Sequence, residues 1–566
     1  MKTAQFLTKL RMVSLPLREI LRVSNLPPFK GGTGWVFLLL SLCTIFSACS
    51  EQRIAPVPER DWEHTTYLFS SSDEPSSATY YRPSVGYVGD VMPLYDPVSK
   101  TFKIGYLQDY RPNPVGTYHP IWGVETADVA HYTSLDELIP CGGINEQDAA
   151  IGTGCFVYCE EQGLYYCFYT GHRYELLQAD DSREIVQVAT SPDFKTWTKS
   201  RTFLLRGRDY GYSPNDFRDP CIFRTDDGIY HMLVSTKSNS KGVLAEFTSS
   251  NLTDWTHQGI FMTMMWDRFY ECPDVFRMGD WWYLVYSEIH SAVRRVQYFK
   301  GRTLEELKAC TKDDAGVWPD DHEGFLDSRG LYAGKTASDG QNRYLWGWCP
   351  TRSGKDNTNV GEKEPEWAGS MVAHRVVQHA DGTLSLGEVD AIRQKYDQAQ
   401  KTVVMRRQGE VQEADGVFTL KEGSNILFNR LGYHNHIRLT VKTEGASDKF
   451  GISLCRGTSA ICEADSGVYY SLVLNPESET RRKINFEQEG EDGKGFIANI
   501  DGYTFPTPAD NTYRIDIYTD NSVMVMYVND HVCYTNRVHG IARNCWSINA
   551  YTGSVQVYDI SVTQYE

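Results

Sequence analysis

From about residue 80 to 385 the chain repeats one unit, two β segments joined by a turn, and this periodicity constrains the fold more than any other feature. The copies open at positions 90, 154, 219, 271 and 332, so 52 to 65 residues separate one start from the next. Each is a hairpin pattern, with β-branched and aromatic runs flanking Gly or Asp turns. Arg218-Asp219-Pro220-Cys221-Ile222-Phe223, Asp226-Asp227-Gly228 and Ile229-Tyr230-His231-Met232-Leu233-Val234 form one copy. Glu271-Cys272-Pro273-Asp274-Val275-Phe276, Met278-Gly279-Asp280 and Trp281-Trp282-Tyr283-Leu284-Val285-Tyr286 form the next. A second phrase recurs later in the unit, Ser191-Pro-Asp-Phe-Lys-Thr-Trp197 and Ser250-Asn-Leu-Thr-Asp-Trp255. A four-stranded blade needs roughly 40 to 50 residues plus loops, so the spacing predicts a five-bladed β-propeller. Helical patterning is confined to short stretches near 304–310 and 390–400.

Equivalent positions of successive blades lie around one axis. Asp90, Asp219 and Glu271 open three of the five units, so the repeat predicts three carboxylates at one end of a central funnel. A lone Asp is more often a turn or cap residue on its own blade; three acids at one blade position are harder to explain that way. Convergent carboxylates in a wet funnel suit glycosidic cleavage, in which one attacks the anomeric carbon and a protonated partner donates to the leaving oxygen. Glu271 has the longer reach and is the natural proton donor. The pattern alone does not separate nucleophile from stabiliser.

The remaining chain divides around this core. Beyond residue 405 alternating strands appear, as in His436-Ile-Arg-Leu-Thr-Val441 and Val523-Met-Val-Met-Tyr-Val528, which read as an antiparallel β-sandwich. The expected order is a signal peptide over 1–49, a leash over 50–78, the propeller over 79–388, a linker over 389–404 and the sandwich over 405–566. The whole is all-β, and the sandwich is expected to brace the propeller. Basic residues precede an apolar run over 35–46 that is too short to span a bilayer, followed by Ser47-Ala48-Cys49. This resembles a bacterial lipoprotein cleavage box, which implies a lipid anchor on Cys49 and export to the outer membrane; Met12 is an alternative start. A net charge of −17 and the lack of a basic stripe exclude a nucleic-acid binder. The fourteen cysteines show no spacing for zinc, so neither metal nor cofactor is expected, and buried free thiols are the default. The expected partner is an oligo- or polysaccharide, and the expected state is a monomer.

Specific motifs sharpen the chemistry. Arg218-Asp219-Pro220 resembles the RDP motif of glycoside hydrolase family 32, the invertase, inulinase and levanase family, and Glu271-Cys272-Pro273 resembles its EC motif. Gly152-Thr153-Gly154, Trp122-Gly123 and Trp367-Ala-Gly-Ser370 are further similarities, and the likeness spans nearly all of the expected mature chain. It implies Asp90 as nucleophile, Glu271 as acid/base, Asp219 as a hydroxyl-binding stabiliser and Arg218 as the group orienting the acids, in a retaining hydrolysis of β-fructosyl linkages. Thr153, Gln108 and Trp122 become candidates for binding sugar, although a strand-end Gln or a Trp beside Gly is more often structural. The sequence departs from the family at the nucleophile. The usual WMNDPNG is replaced by Tyr87-Val88-Gly89-Asp90-Val91-Met92-Pro93, so the Asn that helps hold substrate is Gly89. Two rivals remain at this stage: an inverting arabinan- or xylan-type propeller hydrolase, and a surface glycan-binding protein without turnover.

Overall fold

The computed structural model describes residues 77–565 apart from residues 78, 85, 110–118, 144, 174–181, 265–268, 289–294, 311–323, 352–366, 457–467, 479, 490–495 and 499–502. The expected signal and Cys49 lie outside the described residues, as does most of the loops over 109–120, 174–184 and 352–366 that the sequence places around the funnel.

Five consecutive antiparallel units follow the repeat. Blade 1 comprises Tyr87–Asp96, Thr101–Asp109, Ile121–Thr126 and Thr133–Ile139. Blade 2 comprises Ala150–Cys159, Leu164–His172, Glu184–Ser191 and the short Thr198–Lys199. Blade 3 is built from Phe217–Arg224, Tyr230–Ser238, Lys241–Ser249 and Thr256–Thr263. Blade 4 has three strands, Tyr270–Met278, Trp281–Glu288 and Val296–Gly301, and blade 5 has Tyr332–Ser338, Arg343–Pro350, Gly369–Gln378 and Leu384–Gly387. The first strand of each blade touches the first strand of the next, and that of blade 5 touches that of blade 1, so the ring closes. A single pairing, Val88 with Gly369, joins blades 5 and 1 into one sheet at the closure. Alternating side chains along these strands fill the space between neighbouring blades. One apolar cluster, for example, holds Val88, Phe102 and Tyr106 of blade 1 with Trp346 and Val372 of blade 5.

After the propeller, Asp390–Lys395 is a short helix and Gln398–Gln400 already pairs with the last strand, Ser554–Gln564. The linker expected over 389–404 is therefore shorter, because its distal part is an edge strand of the sandwich. Two eight-stranded antiparallel sheets then face each other across a core that includes Ile437, Leu439, Ile452, Leu472, Ile515, Met526 and Trp546. Tyr518, Val523, Val525, Tyr527 and Cys533 of one of these sheets belong instead to the propeller's largest apolar cluster. The eleven described cysteines are free thiols, seven of them buried.

Candidate active site

A defect repeated in every blade positions the acids, which stand at three successive places around it and not at one blade position as the repeat predicts: Glu271 is the last paired residue before it, Asp219 the first unpaired one and Asp90 the second. In the first strand of each blade, the hairpin register slips: between Val88 and Val91, Gly152 and Gly154, opposite Leu233 and Ser235, between Glu271 and Asp274, and between Tyr332 and Lys335. A bulge adds an unpaired residue and re-aims its side chain. The bulged positions are Gly89-Asp90, Thr153, Asp219-Pro220, Cys272-Pro273 and Ala333-Gly334. Pro220 and Pro273 are tolerated there because no ladder hydrogen bond is demanded of them. Asp219, Cys272 and Ala333 carry positive φ of 57°, 49° and 54°, a costly conformation for residues with a side chain and one that concentrates at functional sites.

Around these bulges the side chains form one hydrogen-bonded set. Both carboxylate oxygens of Asp90 are held: Thr153 Oγ1 donates to Oδ2 at 2.6 Å and Trp348 Nε1 to Oδ1 at 2.8 Å. Glu271 accepts from Arg218 Nη2 at 3.0 Å and from the Tyr332 hydroxyl at 2.7 Å. Asp219 Oδ2 accepts the backbone N–H of Cys272 at 2.9 Å, and its own N–H donates to Thr170 Oγ1 at 2.9 Å. The Cys272 thiol lies 3.8 Å from Thr153 Oγ1, which links the Asp90 side of the set to the Asp219 side. Arg218 also reaches Glu184 at 3.2 Å and Asp216 at 3.4 Å, with its guanidinium over the Phe269 ring at 3.9 Å.

The electrostatics follow from burial. Asp219 is 4% exposed, and loss of solvent pushes its carboxyl up to about 7; Arg218 opposes this, while Glu271 and Asp90 add to it. Burial works against the Arg218 charge too, but Glu184, Glu271 and Asp219 outweigh it and keep the guanidinium firmly ionised. Burial raises the Glu184 carboxyl as well, against the pull of Arg218. Converging carboxylates, one of them raised toward neutrality, with the Arg218 cation among them, are equipped to move a proton and to stabilise positive charge.

Of the residues expected from sequence, the fold brings together Asp90, Thr153, Arg218, Asp219 and Glu271. Gln108 is buried opposite Val88 in the blade 1 hairpin, two residues from Asp90 along the strand register. Trp122 is partly buried and packs on the apolar cluster that includes blades 1 and 5. Tyr332, Trp348, Thr170 and Glu184 were not anticipated. Tyr332 had a signal: it opens the fifth repeat unit at the blade position of Glu271, directly before the bulge. Trp348 lies directly opposite Tyr332 in the hairpin register, and that pairing is invisible without the fold.

Comparison with known proteins bears on this arrangement. Residues 100–387 match the Glycosyl hydrolases family 32 N-terminal domain, a match that begins after Asp90. Residues 382–562 match the GH32, BT1760-like, C-terminal domain. Sucrose-6-phosphate hydrolase of Escherichia coli is 23% identical over 439 residues, covering 72% of this chain and 78% of its own. The insoluble isoenzyme CWINV2 of beta-fructofuranosidase from Arabidopsis thaliana is 24% identical over 434 residues, 70% of this chain and 69% of its own. Among solved structures, fructan 1-exohydrolase IIa from Cichorium intybus superposes with a TM-score of 0.66 at 14% identity, covering 87% of this chain and 97% of its own. Exo-inulinase from Aspergillus awamori gives 0.64 at 16% identity, covering 88% and 99%. These structures share the propeller and sandwich architecture. The family match also decides between the two enzyme readings against the arabinan- or xylan-type one. The chain belongs to glycoside hydrolase family 32, the enzymes that hydrolyse β-fructosides such as sucrose and fructans.

Proposed function

We propose that this protein is an exported, lipid-anchored β-fructosidase that cleaves fructan or sucrose-type linkages by double displacement, with Asp90 as nucleophile and Glu271 as acid/base. Asp90 attacks the anomeric carbon while Glu271 gives its proton to the glycosidic oxygen, so a C–O bond breaks as an ester bond forms. Glu271, now a carboxylate, takes a proton from water; the water oxygen attacks the same carbon, releases Asp90 and leaves the configuration retained. Asp219 binds sugar hydroxyls, and the positive charge developing on the ring draws it toward its ionised form. Arg218 holds Glu271 in place and sets the spacing of the acids.

The observation that carries this reading is the pairing of two differently held carboxylates. Asp90 is fixed through both oxygens by uncharged donors, Thr153 and Trp348, as suits an oriented nucleophile. Glu271 is held by one cation and one hydroxyl, Tyr332, which can follow a carboxyl through a change of protonation.

Purified protein assayed on levan, inulin, sucrose and arabinan should release sugar from at least one fructoside and none from arabinan. The initial product should keep the substrate's anomeric configuration by NMR. Glu271→Gln should lower turnover by about 10³-fold or more while sugar binding persists. Equal rates in the two proteins, or an inverted first product, would overturn the reading; binding without turnover in the wild type would point to a glycan-binding protein. The anchor rests on the Ser47-Ala48-Cys49 box after an apolar run, and Cys49→Ser should move the protein from the membrane fraction to the soluble one.

A further inference from the structure

Lys335 of blade 5 is 3% exposed, so a charge sits inside the propeller. The groups that bear on it come from three other blades: the thiols of Cys221 on blade 3, Cys155 on blade 2 and Cys272 on blade 4, and the carboxylate of Asp274, also on blade 4. Cys221, Asp274 and Lys335 are each the first paired residue after the bulge of their own blade. Burial pushes the thiols up, Cys155 to about 11, so they carry no charge at neutral pH and Asp274 supplies the opposite one. A lysine in such a place loses its hydration and the freedom of a long side chain.

What it gains is reach. Nζ donates to the Gly154 carbonyl on blade 2 at 2.7 Å, although blade 1 stands between blades 5 and 2 in the ring. Gly154 closes the blade 2 bulge beside Thr153, the residue whose hydroxyl donates to Asp90. Both carbonyls at that bulge are held by side chains. Thr170 Oγ1 donates to the Thr153 carbonyl at 2.8 Å and accepts the Asp219 N–H, while Lys335 holds the carbonyl of Gly154. The root of the lysine is fastened in turn. Thr336, next in the chain, gives its N–H and hydroxyl to Asp274 Oδ2 at 2.9 and 2.6 Å, and Arg343 donates to the same hydroxyl at 2.7 Å.

We propose that Lys335 is a positioning residue for Asp90: by holding the Gly154 carbonyl from across the ring it fixes the blade 2 bulge, and with it the Thr153 hydroxyl that aims the carboxylate. This rests on the fructosidase reading above. The lysine stands two residues back from the reacting atoms, so it governs alignment and not the grip on sugar. A nucleophile that has drifted binds substrate as before and attacks it more slowly, which places the loss in kcat.

The test is a cycle of Lys335→Met, Thr153→Val and the double variant, assayed on inulin, levan and sucrose well below their thermal midpoints. Lys335→Met nearly keeps the length of the side chain and removes its donor. It should lower kcat about 10²-fold while KM changes less than about threefold. Thr153→Val should lower kcat as well, and adding Lys335→Met to it should lower kcat by less than about threefold more, because no hydroxyl is left to aim. Lys335→Gln, polar but too short to span the ring, is carried through the same cycle with the same expectation, and it decides the matter where the methionine variant does not fold. Undiminished kcat, a loss confined to KM, or an equal fold-loss with and without the Thr153 hydroxyl would overturn the inference and leave the fructosidase reading intact. A wild type that releases no sugar from any of the three substrates would overturn that reading, and this inference with it.

Discussion

Asp219 is the residue at which the site's chemistry and the fold's stability pull in opposite directions. Its carboxyl is pushed from an ordinary value of 3.8 up to about 7, chiefly because it is sealed from water. The folded protein therefore binds its proton more tightly than the unfolded chain does. Below about pH 4 both states are protonated and the shift has no effect. As the pH rises toward 7 the unfolded chain releases the proton first, so stability is lost progressively across that window, by about 4 kcal/mol at the limit. Asp219→Asn, which keeps the shape and cannot ionise, should remove this loss. Its thermal midpoint should approach or fall below that of the wild type near pH 4 and exceed it by an increasing margin up to pH 8, as measured by calorimetry on the sugar-free proteins. A constant gap across the range would show that Asp219 titrates normally. A group that the folded state holds at a cost in stability is what a reaction generating positive charge on its substrate requires.

At the scale of the element, the repeat was legible because blades 2 and 3 solve the same turn problem with similar residues. Asp193 Oδ1 accepts the N–H groups of Lys195 and Thr196 at 2.9 and 2.8 Å, and Trp197 Nε1 donates to the Phe194 carbonyl at 3.2 Å. One blade on, Asn251 Oδ1 accepts from Thr253 and Asp254 at 3.0 and 2.9 Å, and Trp255 Nε1 donates to the Leu252 carbonyl at 3.2 Å. Phe194 and Leu252 carry matching positive φ of 61° and 65°. The true counterpart of Ser191 is Ser249, whose Oγ accepts from Asn251 and Leu252, and not Ser250 as the sequence alignment has it. Asp193→Ala should cost about 1 kcal/mol in urea unfolding, and Asn251→Ala a similar amount, because each strips two backbone donors of their partner. Asp193→Asn, which keeps the acceptor, should cost much less. The acids were legible because each stands within two residues of the same point in the period, although not at the same position. The bulges that aim them were not: an unpaired residue in a strand leaves no trace in a two-residue alternation, and Trp348, Thr170 and Glu184 reach the site through pairings that only the closed ring creates.

Across the whole molecule the sandwich holds the blade that closes the ring. Propeller and sandwich fall within one compact unit. Arg537, 4% exposed, donates from the sandwich to the carbonyls of Pro350 and Cys349 at 2.9 and 3.0 Å and to Ser370 Oγ at 3.1 Å. Those residues adjoin Trp348 and Gly369, which support Asp90 and pair with Val88. Nearby, Asp327 of the propeller accepts the Thr535 N–H at 2.7 Å and its hydroxyl at 2.5 Å, with buried His374 and Cys533 packed beside it. At the other side, Asp520 accepts the N–H groups of Thr79 and Tyr80 at 2.7 and 2.8 Å and so ties the start of the propeller chain to the sandwich. Joined through buried polar groups that would otherwise be left without partners, the two parts should unfold in a single thermal transition. Arg537→Met removes one cation and leaves two buried carbonyls without that donor, so it should cost about 3 kcal/mol. It should also lower turnover at temperatures well below its own midpoint, because the strand end bearing Trp348 is freed to shift against Asp90. Loss of stability with undiminished turnover would mean that the sandwich supports the propeller without tuning the site. Two separate transitions in the wild type would mean that it does not support it at all.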